Sequence, residues 1–185
     1  MQLIARLKKK RSLTIEDDGI VEKAIKGDKS SIEILINQHK EYLYKMAFLY
    51  LKDEHEAIEI CQQTVYKAII NLDKLKNPHY FKTWITRILI NNIKDSQRIK
   101  NRFVDTIDKI ELIDDITYEK LEEKIDLYNA IDILEEKYKT PIILQYFHDM
   151  EIKEIACILD CNENTVKTNL RRGRERLYRI LKEGR

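Results

Sequence analysis

The 185 residues carry 34 Lys+Arg against 32 Asp+Glu, a formal charge of +2, with only four Gly and two Pro. That is far below the roughly 12% Gly plus Pro of an average chain, and a β-rich fold that turns every 8–12 residues or so needs them, so the composition disfavours sheets and predicts an all-α protein. With 43% hydrophobic and 36% charged residues, the chain can bury a modest core in one ordinary domain or two small ones.

The chain opens on Lys8-Lys9-Lys10-Arg11, followed by Ser12-Leu13-Thr14-Ile15-Glu16-Asp17-Asp18 rather than by the apolar core of a signal peptide. Residues 1–16 are therefore taken as a basic extension. Asp28 or Ser30 can cap a first long helix bearing Ile32, Leu35, Ile36, His39, Leu43, Met46, Ala47 and Tyr50 at spacings of three and four. His39 lies on that apolar stripe and is expected to be a satisfied core histidine, not a metal ligand. A second helix follows Asp53, with Ala57, Cys61, Thr64, Val65, Ala68 and Leu72 inward and Glu59, Gln62, Gln63 and Tyr66 outward. Asn77-Pro78 breaks the chain, because Pro ends a preceding helix and suits the first turn of the next. That next helix turns Phe81, Ile85, Ile88 and Leu89 to a core. Tyr80, Trp84, Arg87, Asn91, Lys94 and Arg98 recur at three and four on another face.

Aromatics interleaved with cations along one stripe suit single-stranded nucleic acid. Rings stack on exposed bases, at about 1–3 kcal/mol each, while cations follow the phosphates. A Trp at this position also fits a reading in which it closes the core.

A second pattern begins near Leu121, where Leu127, Ala130, Ile131 and Leu134 mark a helix. Thr140-Pro141 reads as an N-cap followed by Pro at the first helical position, opening Ile142–Phe147. Ile152–Leu159 predicts a short helix with Ile155, Ala156 and Leu159 inward. Asp160-Cys161-Asn162 makes a three-residue turn, and Asn162 can cap a longer helix from Glu163 to about Leu181, with Val166, Leu170, Leu177 and Leu181 buried. Its other side offers Asn164, Lys167, Thr168, Arg171, Arg172, Arg174 and Arg176. A short helix, a tight turn and a long basic helix describe a helix-turn-helix whose second helix enters the major groove of DNA.

Charge is segregated along the chain. Residues 73–102 carry eight basic and two acidic side chains, residues 105–126 three basic and nine acidic, and residues 163–185 eight basic and three acidic. Two basic modules joined by an acidic connector point to a polyanionic partner. Cys61, Cys157 and Cys161 are too few for a disulfide framework and fit a reducing compartment. Cys157 and Cys161, without a second pair, are expected to be small core residues rather than zinc ligands. No metal or cofactor site is expected. No Gly-rich phosphate loop or nucleophile–base pair appears, so an enzyme is disfavoured.

Taken together, the two modules resemble bacterial RNA polymerase sigma factors of the extracytoplasmic-function (ECF) class. Glu56-Ala57-Ile58-Glu59-Ile60-Cys61-Gln62-Gln63-Thr64-Val65-Tyr66-Lys67-Ala68 is similar to the family's core-polymerase-binding helix, and Phe81-Lys82-Thr83-Trp84-Ile85-Thr86-Arg87-Ile88-Leu89-Ile90-Asn91 to its promoter-melting helix. Tyr138 through Leu177 resembles its C-terminal helix-turn-helix. The stretches around Trp84 and Tyr146-Phe147-His148-Asp149-Met150 look most like the sigma-V-like branch.

The resemblance implies a region 2-like domain over 17–100, an acidic linker over 101–119 acting as a hinge, and a region 4-like domain over 120–185. It implies docking on core polymerase through Glu59, Gln62, Gln63 and Tyr66. Asn77, His79, Tyr80, Trp84, Arg87, Asn91, Lys94 and Arg98 would hold the single-stranded −10 element, the first three beside a flipped-out base. Glu163, Asn164, Lys167, Thr168, Arg171, Arg172 and Arg174 would meet the −35 duplex. It further implies an anti-sigma factor, free or membrane-anchored, and a monomer when free; the cysteine usage, the lack of a signal-peptide core and the lack of a membrane-length apolar run already point to a cytoplasmic location. A helix-turn-helix regulator that never melts DNA, and a helical adaptor, are the competing readings.

Overall fold

The structure, a computed structural model, describes residues 18–104 and 122–183. The basic extension 1–16 and residues 105–119 of the predicted linker and hinge lie outside the described residues, while the first four linker residues, 101–104, end the helix Phe81–Val104. Among the described residues there are eight α-helices and no strand, in two compact units.

The first unit contains α1 (Asp18–Ile25), α2 (Lys29–Leu51), α3 (Glu54–Ile70) and α4 (Phe81–Val104), with single 3-10 turns at Leu72–Lys74 and Pro78–Tyr80. Asp28 is the cap of α2: its carboxylate accepts from the Ser31 N–H at 2.8 Å and the Ser31 hydroxyl at 2.6 Å, which holds it below the ordinary carboxylate range. Asp53 caps α3 in the same way, through the Glu56 N–H at 2.8 Å. Asn77 accepts from the His79 N–H at 3.1 Å and opens the 3-10 turn that leads into α4.

Between them, α2, α3 and α4 enclose Leu35, Leu43, Met46, Ala57, Ile60, Phe81, Ile85, Leu89 and Ile93, all buried. His39 is buried as expected: Nδ1–H donates to the Leu35 carbonyl at 2.8 Å and the ring meets Phe81 edge-on at 5.0 Å. The sequence pattern errs by one position on α3, where Ile60 rather than Cys61 reaches the core. Burial pushes the half-covered Cys61 thiol up to about 11, so it stays protonated at neutral pH.

The second unit contains α5 (Glu122–Asp132), α6 (Glu136–Tyr146), α7 (Ile152–Leu159) and α8 (Glu163–Glu183). α8 is its axis and packs against the other three helices. The start of α6 differs from the sequence expectation. The helix begins at Glu136 and Pro141 lies inside it. An interior proline costs about 3 kcal/mol because it removes one ladder hydrogen bond and crowds the preceding turn. Burial of Tyr138, Ile142, Ile143 and Leu144 around it offsets that cost, at about 1.5–3 kcal/mol for each fully buried apolar side chain.

On α7, Ile158 is buried and Leu159 only half so, and Cys157 is exposed, which corrects its expected place in the core; Cys161 is half-buried in the turn. Asp160 adopts the left-handed conformation (φ 54°, ψ 48°) that the tight turn needs, where Asp is better tolerated than most residues. The Asn162 side chain accepts from the Thr165 N–H at 2.8 Å and caps α8.

Gly173 sits where α8 crosses α6. A Cβ there would stand 2.6 Å from Ile142 Cδ1 and 3.3 Å from Tyr138 Cβ. Gly173→Ala should therefore lower the melting temperature slightly: overpacking against buried Ile142 and Tyr138 costs about 1–3 kcal/mol, offset in part by the roughly 1 kcal/mol that Ala gains in helix propensity. Adding Ile142→Val, which deletes the clashing methyl, should recover part of the loss in thermal unfolding.

Just beyond this crossing, the Arg176 guanidinium pairs with Glu135 and lies over the Tyr138 ring at 4.5 Å. Hydrogen bonds from Lys137 and then Arg176 hold Glu135 below the ordinary carboxylate range. Its stabilising contribution is thus complete above the ordinary value of 4.5 and is lost as pH falls through the lowered one. Arg176 is committed to anchoring α8 rather than to the open basic face.

Candidate nucleic-acid interfaces

Periodicity aims the predicted stripe of α4 correctly, and none of its members is buried. Phe81, Ile85, Leu89 and Ile93 take the inner face of the helix. Tyr80, Asn91 and Arg98 are exposed; Trp84, Arg87 and Lys94 are half-exposed. Trp84 combines the two readings. One side of its ring leans on buried Phe81, centroids 6.0 Å apart at 42°, and part of the residue remains solvent-accessible. Tyr80 is 43% exposed and meets the His79 ring edge-on at 5.6 Å. His79 Nδ1 lies 4.0 Å from the Asp18 carboxylate, which brings the start of α1 to the 3-10 turn. Asn77, at the head of that turn, is exposed. Arg98 stands 3.9 Å from Asp95 on its own helix.

On α3, the predicted docking residues Glu59, Gln62, Gln63 and Tyr66 are all exposed, Tyr66 at 65%. Gln63 Nε2 donates to Glu59 at 3.1 Å. Two of the four, Gln62 and Tyr66, line an apolar groove of about 660 Å³ between α2 and α3, together with Tyr44, Ile58, Val65 and Ile69. Sequence reasoning missed these apolar members. Their signal was present: Ile58 and Ile69 fall outside the inward stripe of α3, and an isoleucine there has no core to fill. Both are more than 40% exposed. The groove is open and apolar enough to receive apolar side chains of a partner.

In the second unit, α7, the three-residue turn and α8 form the helix-turn-helix. Val166, Leu170 and Leu177 face inward, and Leu181 is half-exposed. Glu163, Asn164, Lys167, Thr168, Arg171, Arg172 and Arg174 are all exposed. They differ in engagement. Lys167 lies 3.8 Å from Glu163, Arg171 donates to Glu175 at 2.7 Å, and Arg174 Nε turns back to the Leu170 carbonyl at 3.3 Å. Arg172 makes no ion pair among the described residues, and it presents an uncommitted charge. Helix α8 is about 31 Å long at 1.5 Å per residue, so its first half can lie in a groove while Gly173 and Arg176 anchor the second.

Among the described residues, no helix is long and apolar enough to cross a membrane.

Sigma-70 region 2 matches residues 35–103, which span most of α2 through α4, and Sigma-70 region 4 matches residues 124–177, from α5 into α8. RNA polymerase sigma factor SigV of Bacillus subtilis (strain 168) is 36% identical over 161 residues, covering 83% of this chain and 89% of its own. ECF RNA polymerase sigma factor SigW of the same organism is 30% identical over 173 residues, covering 85% and 92%. The fold is shared with CnrH, solved in complex with the cytosolic domain of CnrY (TM-score 0.72, 20% identity, 90% of this chain and 97% of that one). It is shared also with the sigma factor RpoE from Bartonella quintana, solved with the anti-sigma factor NepR (TM-score 0.69, 24% identity, 83% and 98%). The chain therefore belongs to the sigma-70 family, as an RNA polymerase sigma factor of the extracytoplasmic-function class, a non-enzymatic factor that binds core polymerase, recognises promoter elements and promotes their melting.

Proposed function

We propose that the three faces divide the work of initiation. Glu59, Gln62, Gln63 and Tyr66 dock on core polymerase, with the α2–α3 groove accepting apolar side chains of the polymerase surface. Asn77, His79, Tyr80, Trp84, Arg87, Asn91, Lys94 and Arg98 hold the displaced −10 strand. Glu163, Asn164, Lys167, Thr168, Arg171, Arg172 and Arg174 meet the −35 duplex, where base edges in the major groove specify and phosphates position. The observation that carries this reading is the open aromatic–basic stripe on α4 beside an open apolar groove on α3, two surfaces that a plain duplex-binding regulator has no use for.

The protein works in the cytoplasm as a monomer until it meets polymerase. An anti-sigma factor, membrane-anchored or not, restrains it by covering these faces; the two solved relatives described above were each captured with a partner chain, which supports that reading. The domains run over 17–100 and 120–185.

The docking assignment is tested with Ile58→Glu and Tyr66→Ala. Placing a charge in the apolar groove, or removing its largest exposed ring, should weaken binding to core polymerase about tenfold or more, as hot-spot losses of 2 kcal/mol or so do. Binding of a −35 duplex by the free protein should not change. Equal polymerase affinity in both variants, measured by fluorescence anisotropy of the labelled protein, would place the docking face elsewhere.

A further inference from the structure

The seam between α3 and α4 carries a polar network that packing does not require. Asn92 is 2% exposed. Its Nδ2 donates to Thr64 Oγ1 at 2.9 Å, and its Oδ1 accepts from Lys67 Nζ at 2.5 Å. Thr64, itself fully buried, donates its hydroxyl hydrogen to the Ile60 carbonyl at 2.7 Å. The polarity of the chain is therefore fixed from end to end. With its hydrogen committed to Ile60, the Thr64 oxygen can only accept here, so the amide of Asn92 has one permitted orientation.

An apolar seam tolerates small slips, because one methyl contact replaces another. This seam does not, since any slip strands buried donors and acceptors in a low-dielectric interior. A second clamp repeats the same register. Glu56 pairs with Lys100, eight residues back from Thr64 on α3 and eight residues on from Asn92 on α4. The two helices are locked antiparallel at two points.

What the lock holds in place is the relation between two working faces. Lys67 directly follows Tyr66 of the docking face, and Asn92 directly follows Asn91 of the strand-binding stripe. On a helix about 10–12 Å across, a rotation of about 20° carries a side-chain tip about 2 Å, enough to break a stacking contact. We propose that Asn92 is a positioning residue for promoter opening: held between Thr64 and Lys67, it fixes the rotation and register of α4 on α3, so that the Trp84–Arg98 stripe keeps a set place relative to bound polymerase. This rests on the assignment of those two faces made above. Neither Asn92 nor Thr64 touches DNA or polymerase in this scheme.

The test removes the buried polar atoms together, with Thr64→Val plus Asn92→Leu, so that neither partner is orphaned, and the exposed Lys67 ammonium returns to water. The double variant should keep its melting temperature within a few degrees, its affinity for core polymerase and its −35 duplex affinity. Opening of a closed promoter, followed by 2-aminopurine fluorescence at −10, should slow by about tenfold, the scale of a coupling of 1–2 kcal/mol or so. A premelted promoter should restore most of the rate. Lys67→Met, a change at an exposed site that removes one half of the clamp, should show the same pattern at about two- to threefold and decides the matter if the double variant does not fold. Wild-type opening rates in a folded variant would overturn the proposal. So would losses in opening, polymerase binding and melting temperature that move together and ignore premelting, which is the signature of a merely structural role. If the unaltered protein itself failed to open promoters with core polymerase, the assignment of the faces would fall first and separately.

Discussion

Trp84→Ala should slow promoter opening by about 5- to 150-fold and leave −35 duplex binding unchanged. The range follows from the worth of one stacked base, about 1–3 kcal/mol, lost only from the strand-separated state. The −35 contact proposed above lies in the other unit and should not change. Because one side of the ring rests on Phe81, the variant should also lose some stability. The loss should fall below the roughly 3–5 kcal/mol of truncating a fully buried aromatic, since the indole keeps part of its surface exposed. Trp84→Phe keeps both the ring face and the Phe81 contact and should recover much of the opening rate. A premelted bubble should restore activity to Trp84→Ala, because strand separation no longer has to be driven. Rescue by the bubble with a modest fall in melting temperature identifies a stacking platform. No rescue, with a large fall, identifies a core residue.

The second large effect is expected on α8. Arg172 is exposed and has no ion pair among the described residues, whereas Arg171 is held by Glu175 at 2.7 Å. Arg172→Ala should therefore weaken the −35 duplex more than Arg171→Ala does. If Arg172 meets a phosphate, its loss should flatten the dependence of log affinity on log salt by about 0.9 and reduce all sequences alike. If it meets a base edge, the loss should be about 1–3 kcal/mol at one base pair and should relax preference there. Glu175→Gln, which releases Arg171, should strengthen binding at low salt. Competition binding over a salt series, with the −35 element permuted, separates these outcomes. Unchanged affinity in both arginine variants would mean that α8 does not face the groove.

Local chemistry made much of this molecule legible in the sequence. Asp28, Asp53 and Asn162 are short polar side chains ahead of apolar periodicity, and each is found accepting from a backbone N–H three residues on. The α4 stripe was legible because its inner and outer faces differ sharply in chemistry. Phase was harder where the apolar residues of a helix exceed what its core can take. On α3, two parallel stripes repeat at three and four, one of Ala57, Ile60, Thr64 and Ala68 and one of Ile58, Cys61, Val65 and Ile69. The first is the one that packs inward, while Ile58 and Ile69 of the second stay out. The same ambiguity exchanged Ile158 with Leu159 on α7. Pro141 misled for a different reason: its local preference marks a helix start, and tertiary burial on both sides overrides that preference. Gly173 and Asn92 show what a sequence cannot display alone. Their roles depend on Ile142 and on Thr64, brought near only by the fold.

In the scheme proposed above, this one chain both recruits polymerase and opens DNA through α4. The most direct measurement places 2-aminopurine at the −10 position of a closed promoter, selected by run-off transcription from a random library, and follows its fluorescence. The protein and core polymerase together should raise the signal, neither should do so alone, and Trp84→Ala should delay the rise on the closed template but not on a premelted one. Duplex binding with no fluorescence change in the presence of polymerase would contradict the account and leave a regulator that binds DNA without melting it.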